Sequence, residues 1–131
     1  MSEENIEIVR RMNAAFNHGD EGWVGFYDPE VEFRMPPEWP EDRMYTGHDG
    51  IRYAAGLWAA SFSEYEWTID RLLDASDWVV ALHHHRGRIG DSEAWVVRPL
   101  GVVYFLRDRK IVRGLSFFSW AEALEAVGLS G

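Results

Sequence analysis

The chain has 131 residues, 22 acidic against 13 basic side chains for a net charge of −9, and seven Trp, five Tyr and seven Phe. That length suits one domain spanning 1–131, and 47% hydrophobic with 27% charged residues belongs to a folded domain rather than a disordered one. The acidity argues against nucleic acid and against an anionic membrane surface, both of which need a basic footprint, and the lack of cysteine excludes disulfides, thiolate zinc sites and cysteine nucleophiles.

The N-terminus, Met1-Ser2-Glu3-Glu4, is acidic without an apolar signal core, and no apolar run approaches the ~18 residues that cross a membrane. A soluble, cytoplasmic protein is the expectation. Ser2 with Glu3 and Glu4 reads as a helix start, a capping hydroxyl followed by acids at the positive end of the helix dipole. Ile8, Met12, Ala15 and Phe16, with Val9 beside them, set an apolar stripe at helical spacing that stops at Asn17-His18-Gly19. Asp20 then caps a short second helix through Trp23 and Phe26, ending at Asp28-Pro29. Val31, Phe33 and Met35 alternate with Glu30, Glu32 and Arg34, a half-buried strand. Because that alternation turns Glu30 and Glu32 to solvent, and Asp28 precedes a proline in a turn, these acids are not read as a catalytic carboxylate pair.

Residues 36–47 hold Pro36, Pro37 and Pro40 and read as a loop, yet one carrying Trp39, Met44 and Tyr45, apolar enough to cover something. Gly47-His48-Asp49-Gly50 opens a third helix whose inner face is Ile51, Ala55, Trp58 and Phe62. After it the period changes to two: Tyr65, Trp67 and Ile69 alternate with Glu64, Glu66, Thr68 and Asp70. A turn at Asp74–Asp77 leads to a long strand from Trp78 to Ile89, a hairpin turn at Gly90-Asp91 and a second long strand from Ala94 to Leu106, with a bulge expected at Pro99. Arg107–Lys110 turns into a last strand, Ile111 to Phe118, and a short helix from Ala121 to Val127 is ended by Gly128. This order predicts an α+β fold: a curved, mostly antiparallel sheet with three helices packed on its concave face and a short C-terminal helix.

With these elements in place, the chain resembles the SnoaL-like branch of the nuclear-transport-factor-2-like superfamily. The matching stretches are Glu4–Arg11 with Phe16-Asn17-His18-Gly19-Asp20, Tyr27–Phe33, Gly47–Ile51, Leu106–Arg113 with Arg109 where glycine is usual, and Ala121–Leu124. The resemblance implies a cone of sheet and helices around a pocket, on a scaffold that hosts isomerases, cyclases, dehydratases and plain binders. It also implies where reagents would stand. The tyrosine, base and acid positions of ketosteroid isomerases correspond here to Met12, Phe33 and either Gly101 or Val102, none of which moves a proton. The His and Asp positions of SnoaL-type polyketide cyclases correspond to Val102 and Ser116, and a free hydroxyl is no general base near neutral pH.

The remaining polar signal is His83-His84-His85-Arg86-Gly87-Arg88. Successive strand residues point to opposite faces, so the three histidines cannot share a site. If Val80 and Leu82 face the interior, so do His84 and Arg86, as a proton carrier and an anchor for a carboxylate, enolate or phosphate. The plainer alternative pairs Arg86 with an acid and leaves His84 a satisfied histidine, and a bulge would reverse the parity. His83 and His85 then face solvent or a second copy. Two histidines at i and i+2 make half a metal site, but no third ligand stands at a telling spacing, so neither metal nor cofactor is expected. His18 and His48 adjoin glycines at helix ends and read as local caps, Ser116 with His84 lacks a nucleophile motif, and Lys110, the sole lysine, sits in a turn.

The expected pocket is lined by Met12, Phe16, Phe33, Trp58, Phe62, Leu82, Val102, Tyr104, Ser116 and Phe118, with Trp39 and Tyr45 above it. The expected function is binding of a small apolar or polycyclic molecule. If catalytic, the chain would be a cofactor-free isomerase, cyclase or dehydratase, with His84 carrying the proton, Arg86 and Ser116 orienting the substrate and Tyr104 donating a hydrogen bond. The alternative is a non-catalytic binding or interaction module without the family's acids. Trp67, Trp95 or Trp78 on the sheet's other face predict a homodimer packed through its sheets.

Overall fold

A computed structural model describes residues 2–39, 44–60 and 62–129. The apolar stripe of Val9 and Met12 winds as helix α1, Ser2–Asn17, and Gly19, at φ 71°, turns the chain out of it. Asp20 caps the next segment through its side chain, which accepts from the Gly22 N–H at 2.8 Å, and that segment is a 3-10 helix, Glu21–Phe26. Strand β1, Tyr27–Arg34, starts earlier than the alternation predicts, because Asp28-Pro29 is carried in an irregular stretch of strand rather than a turn. The proline loop closes with strand β2, Met44–Thr46, too short for alternation to reveal; Pro40 lies outside the described residues. Helix α2 is Gly47–Ala59. Strands β3, Glu64–Ala75, β4, Trp78–Arg88, β5, Val96–Arg107, and β6, Lys110–Phe117, follow as hairpins, and helix α3, Trp120–Ala126, closes the chain with Ser119 accepting from the Glu122 N–H.

All six strands form one sheet in the order β2-β1-β6-β5-β4-β3, antiparallel except for the parallel β1–β6 pair. The bulge expected at Pro99 is absent: Pro99 stands in register with His84, and β5 slips against β6 only between Phe105 and Leu106. At the β5–β6 turn Asp108 and Arg109 both take left-handed φ, 51° and 66°. That is the conformation glycine reaches without strain, so the glycine usual in the resembled family suits the turn, and Arg109 holds it at a backbone cost. No helix among the described residues is long and apolar enough to cross a membrane.

Both faces of the sheet are covered, by different elements. Against the inner face lie α1, the 3-10 helix and α2, closing over Val79, Ala81, Val102, Tyr104 and Ile111. Helix α3 lies on the outer face over Val80, Leu82 and Val103, so close that a Cβ on Gly101 would sit 2.6 Å from the Ala123 Cβ. This double cover matters for β4, because its start, Trp78-Val79-Val80-Ala81-Leu82, is apolar at every position. A strand buried on both sides reads as a continuous apolar run and carries no parity.

Candidate functional site

The covering helices settle the parity of β4, with Val79 and Ala81 in the inner core and Val80 and Leu82 under α3. One extra residue in β3 decides which of its side chains join the inner face. From the Ala75–Trp78 turn, β3 and β4 pair in simple hairpin register as far as Arg71 opposite Leu82, then slip so that Ile69 faces His83 and Trp67 faces His85. Asp70 is the residue bulged out. Without it, hairpin counting would set Trp67 beside Arg86, on the outer face. The bulge instead moves Tyr65, Trp67 and Ile69 to the face shared with His83 and His85.

The inner face encloses a cavity of about 50 Å³ lined by Met12 and Phe16 of α1, Trp23, Tyr27, Phe33, Met35, Ile51, Ala54, Ala55, Trp58 and Trp67. Its walls are mostly rings in edge-on or tilted contact: Phe16 with Trp23 at 5.2 Å, Phe16 with Trp67 at 5.0 Å, Trp58 with Trp67 at 5.7 Å. Trp39, from the loop after β1, stacks on Trp58 at 5.9 Å with 12° between planes and donates its indole N–H to the Tyr45 hydroxyl. Trp39 and Tyr45, the residues expected above the pocket, thus meet each other, and Trp39 meets the wall residue Trp58. Leaving a void of this size empty costs on the order of 1 kcal/mol.

The sequence expectation therefore names part of the wall. Met12, Phe16, Phe33 and Trp58 line the cavity. Phe62 and Phe118 pack behind Trp58, with Phe62 seated on Gly87, while Val102 and Tyr104 are sealed in the core beneath. Ser116 is on the inner side, but its hydroxyl donates to the Arg34 carbonyl at 2.7 Å and is committed to the backbone. Leu82 is a correction: it lies under α3 on the outer face. The expected lining omits Trp23, Tyr27, Met35, Ile51, Ala54, Ala55 and Trp67, all of them wall residues. Tyr27 begins a strand whose start was misplaced, and Trp67 was assigned to the other face because the bulge at Asp70 leaves no mark in the alternation.

Two imidazoles stand among the inner rings, and they are not the pair expected. His83 and His85 are each 1% exposed, not solvent-facing. His83 stacks on Trp67, and burial, followed by the charges of His85 and His84, lowers its pKa to about 3. His85 accepts the Trp58 indole N–H on Nε2 at 2.7 Å, so its own proton is on Nδ1; burial, then Arg98, lowers its pKa to about 4. Both rings are neutral at physiological pH. Tyr27 and Tyr104, hydrogen-bonded to each other and fully buried, have their pKa values pushed up by desolvation and stay protonated. The Tyr27 hydroxyl also lies 3.6 Å from the Met12 sulfur. Among the described residues no cluster of three or more His, Cys, Asp or Glu is arranged to hold a metal.

His84 and Arg86, the expected reagents, are on the outer face. His84 Nδ1 is 2.7 Å from Asp70 Oδ2, with its ring against Trp120 of α3. Arg86 pairs with Glu66 at 3.7 Å and lies over the Trp95 ring, and the outermost pair of this ladder is Arg88 with Glu64. The charges of β4 find opposite charges directly across β3, the usual way a sheet satisfies an exposed charged face. Neither residue reaches the cavity.

Comparison with known proteins follows the same lines. The family model for the SnoaL-like domain matches residues 9–114, and no curated protein matches the sequence. Among solved structures, Bal32a from a soil-derived mobile gene cassette superposes with a TM-score of 0.78 at 20% identity, covering 88% of each chain. TerC, co-crystallized with polyporic acid, gives 0.77 at 19% identity over 95% of this chain and 98% of its own. A protein of ketosteroid isomerase-like fold from Catenulispora acidiphila, in complex with trimethylamine, gives 0.73 at 18% identity over 94% and 93%. These likenesses establish the fold, and the family match over most of the length establishes membership. The chain belongs to the SnoaL-like domain family.

Proposed function

We propose that this chain binds a compact, neutral, largely apolar molecule in the inner cavity and does no acid–base chemistry on it. The observation that carries the reading is the cavity wall: rings and thioethers, with Tyr27 as its only ionisable member among the described residues and that one held protonated. Ligand sites are typically apolar with a few placed polar groups. The surroundings also disfavour charge, since even imidazoles beside the cavity are held neutral. At about 50 Å³ the cavity admits a molecule of a few heavy atoms, smaller than the benzene-sized guest of a roughly 150 Å³ engineered cavity. A polycyclic ligand requires the Trp39–Trp58 stack to part. The trimethylamine bound by the Catenulispora relative is a guest of the compact size this cavity admits.

Proton-transfer catalysis by an isomerase, cyclase or dehydratase has less to stand on. A general acid or base works best with a pKa near the operating pH; His83 and His85 fall well below it, and Tyr27 and Tyr104 lie above it. The expected homodimer has Val97 and Ile89, 56% and 59% exposed near the β4–β5 turn, as apolar surface in its favour.

Native mass spectrometry of protein purified from its own host reports bound mass and subunit count together. The expected result is one small molecule per chain, lost in Ala54→Leu, which fills the cavity. Protein that carries no adduct, and whose melting temperature responds to compact apolar compounds no more than that of Ala54→Leu, overturns the reading.

A further inference from the structure

Among the described residues three buried side-chain nitrogens have no hydrogen-bond partner: Trp67 Nε1, His83 Nδ1 and Arg88 Nε. Arg88 keeps its ion pair with Glu64 through another nitrogen. The other two belong to one stacked pair of rings, 5.4 Å between centroids and 29° between planes. Trp67 is a wall of the cavity, and His83, at 1% exposure, is sealed against bulk water. Buried polar atoms are nearly always paired, with protein or with an ordered molecule. Two orphans on adjoining rings, one a wall of the void and the other stacked on that wall, mark a place where something else supplies the partner.

We propose that Trp67 Nε1 and His83 Nδ1 are the polar end of the ligand site, and that together they hold the oxygen of a small neutral alcohol or ketone whose carbon body occupies the aromatic cavity. The proposal rests on the ligand-binding reading above and adds its specificity. Indole N–H only donates, so the ligand atom beside it must accept. An uncharged imidazole nitrogen either accepts or donates. A hydroxyl meets both requirements at once, accepting from Trp67 and donating to His83; a carbonyl meets them when His83 carries its proton on Nδ1. A carboxylate or alkoxide is disfavoured, because among the described residues no cationic side chain lines the cavity and an unpaired charge is costly there.

The experiment is an NMR titration of isotopically labelled protein with three probes: xenon, 2-propanol and acetone. Xenon tests the void alone, and the other two test the oxygen handle. All three are expected to shift the methyl resonances of Met12 and Ile51, but only 2-propanol and acetone to shift the Trp67 indole N–H. The His83 ring nitrogens then distinguish the sources, with Nδ1 unprotonated beside the alcohol and protonated beside the ketone. Trp67→Phe is expected to weaken both oxygenated probes about tenfold, the worth of one hydrogen bond, and to leave xenon unchanged. If that variant fails to fold, the indole resonance of the wild-type protein carries the test by itself. A Trp67 N–H that neither oxygenated probe moves, or that keeps a bound water neither displaces, overturns this proposal while xenon binding leaves the cavity reading standing. Loss of the xenon response overturns the cavity reading instead.

Discussion

His83 and His84 are consecutive residues with opposite fates. The first is buried among rings on the inner face, with a pKa lowered to about 3. The second is 37% exposed at its side chain, held by Asp70 on the outer face. Nothing in the residue type separates them. The inner face solves the problem of the polar ring by neutralising it, the outer face by pairing it with a carboxylate across the hairpin. The difference shows that an imidazole's chemistry is set by the side of the strand it leaves from. That side follows from unbroken alternation along β4, which carries Val79 and Ala81 into the inner core and Val80 and Leu82 under α3.

The comparison can be broken or sharpened in several ways, and the inner face should be the more sensitive. Trp58→Ala removes the ring that stacks on Trp39, contacts Trp67 and donates to His85. A buried Trp→Ala change typically costs about 3–5 kcal/mol, to be read from urea denaturation; a loss under 1 kcal/mol would mean the inner ring cluster is not the core it resembles.

Acid should act through the same face. His83 and His85 ionise at about 3 and about 4 in the native chain, below the ordinary 6.5 of the unfolded chain, so unfolding takes up protons as pH falls. Their contribution to stability is complete above pH 6.5 and is lost on going toward pH 4, at up to about 1.4 kcal/mol per unit for each ring. Melting temperatures at pH 7, 5.5 and 4.5 should fall accordingly, and His83→Phe should flatten the slope. An unchanged slope in that variant would remove His83 from the account.

On the outer face the effects are smaller. Gly101→Ala forces a methyl to within 2.6 Å of the Ala123 Cβ, and overpacking of this kind costs about 1–3 kcal/mol, here by lifting α3. His84→Ala breaks a partly exposed pair with Asp70, for which about 0–1 kcal/mol is the usual cost. It should leave occupancy of the cavity untouched in the xenon titration. A His84→Ala protein that no longer binds would make the two faces communicate.

Much of the architecture was legible from the chain alone. α1 shows its apolar stripe and its glycine stop, the 3-10 helix its Asp20 cap, and β3 and β5 bound themselves by turns. The site was legible only where one face of an element is covered and the other wet. Met12, Phe16, Phe33 and Trp58 fall in that class, and all four line the cavity. β4 does not, because helices cover one side of it and α3 the other, so Leu82, His84 and Arg86 were placed inside when they lie outside. One clue was present in the sequence: acids at 64, 66 and 70 against bases at 84, 86 and 88 in the adjoining strand predict a charged ladder on one face. That ladder needs the slip at Asp70 to close, and a bulge is a property of the paired strands rather than of either one.

The local code of the chain, its caps, turn glycines and apolar periods, determined which elements form and in what order, because each depends on contacts within a few residues. The family and its α+β cone follow from that order. Which face Trp67 joins depended on register between β3 and β4, and which side of β4 is the outer one on α3 folding back over Gly101, contacts whose partners lie far apart along the chain. Only the packed structure could decide them.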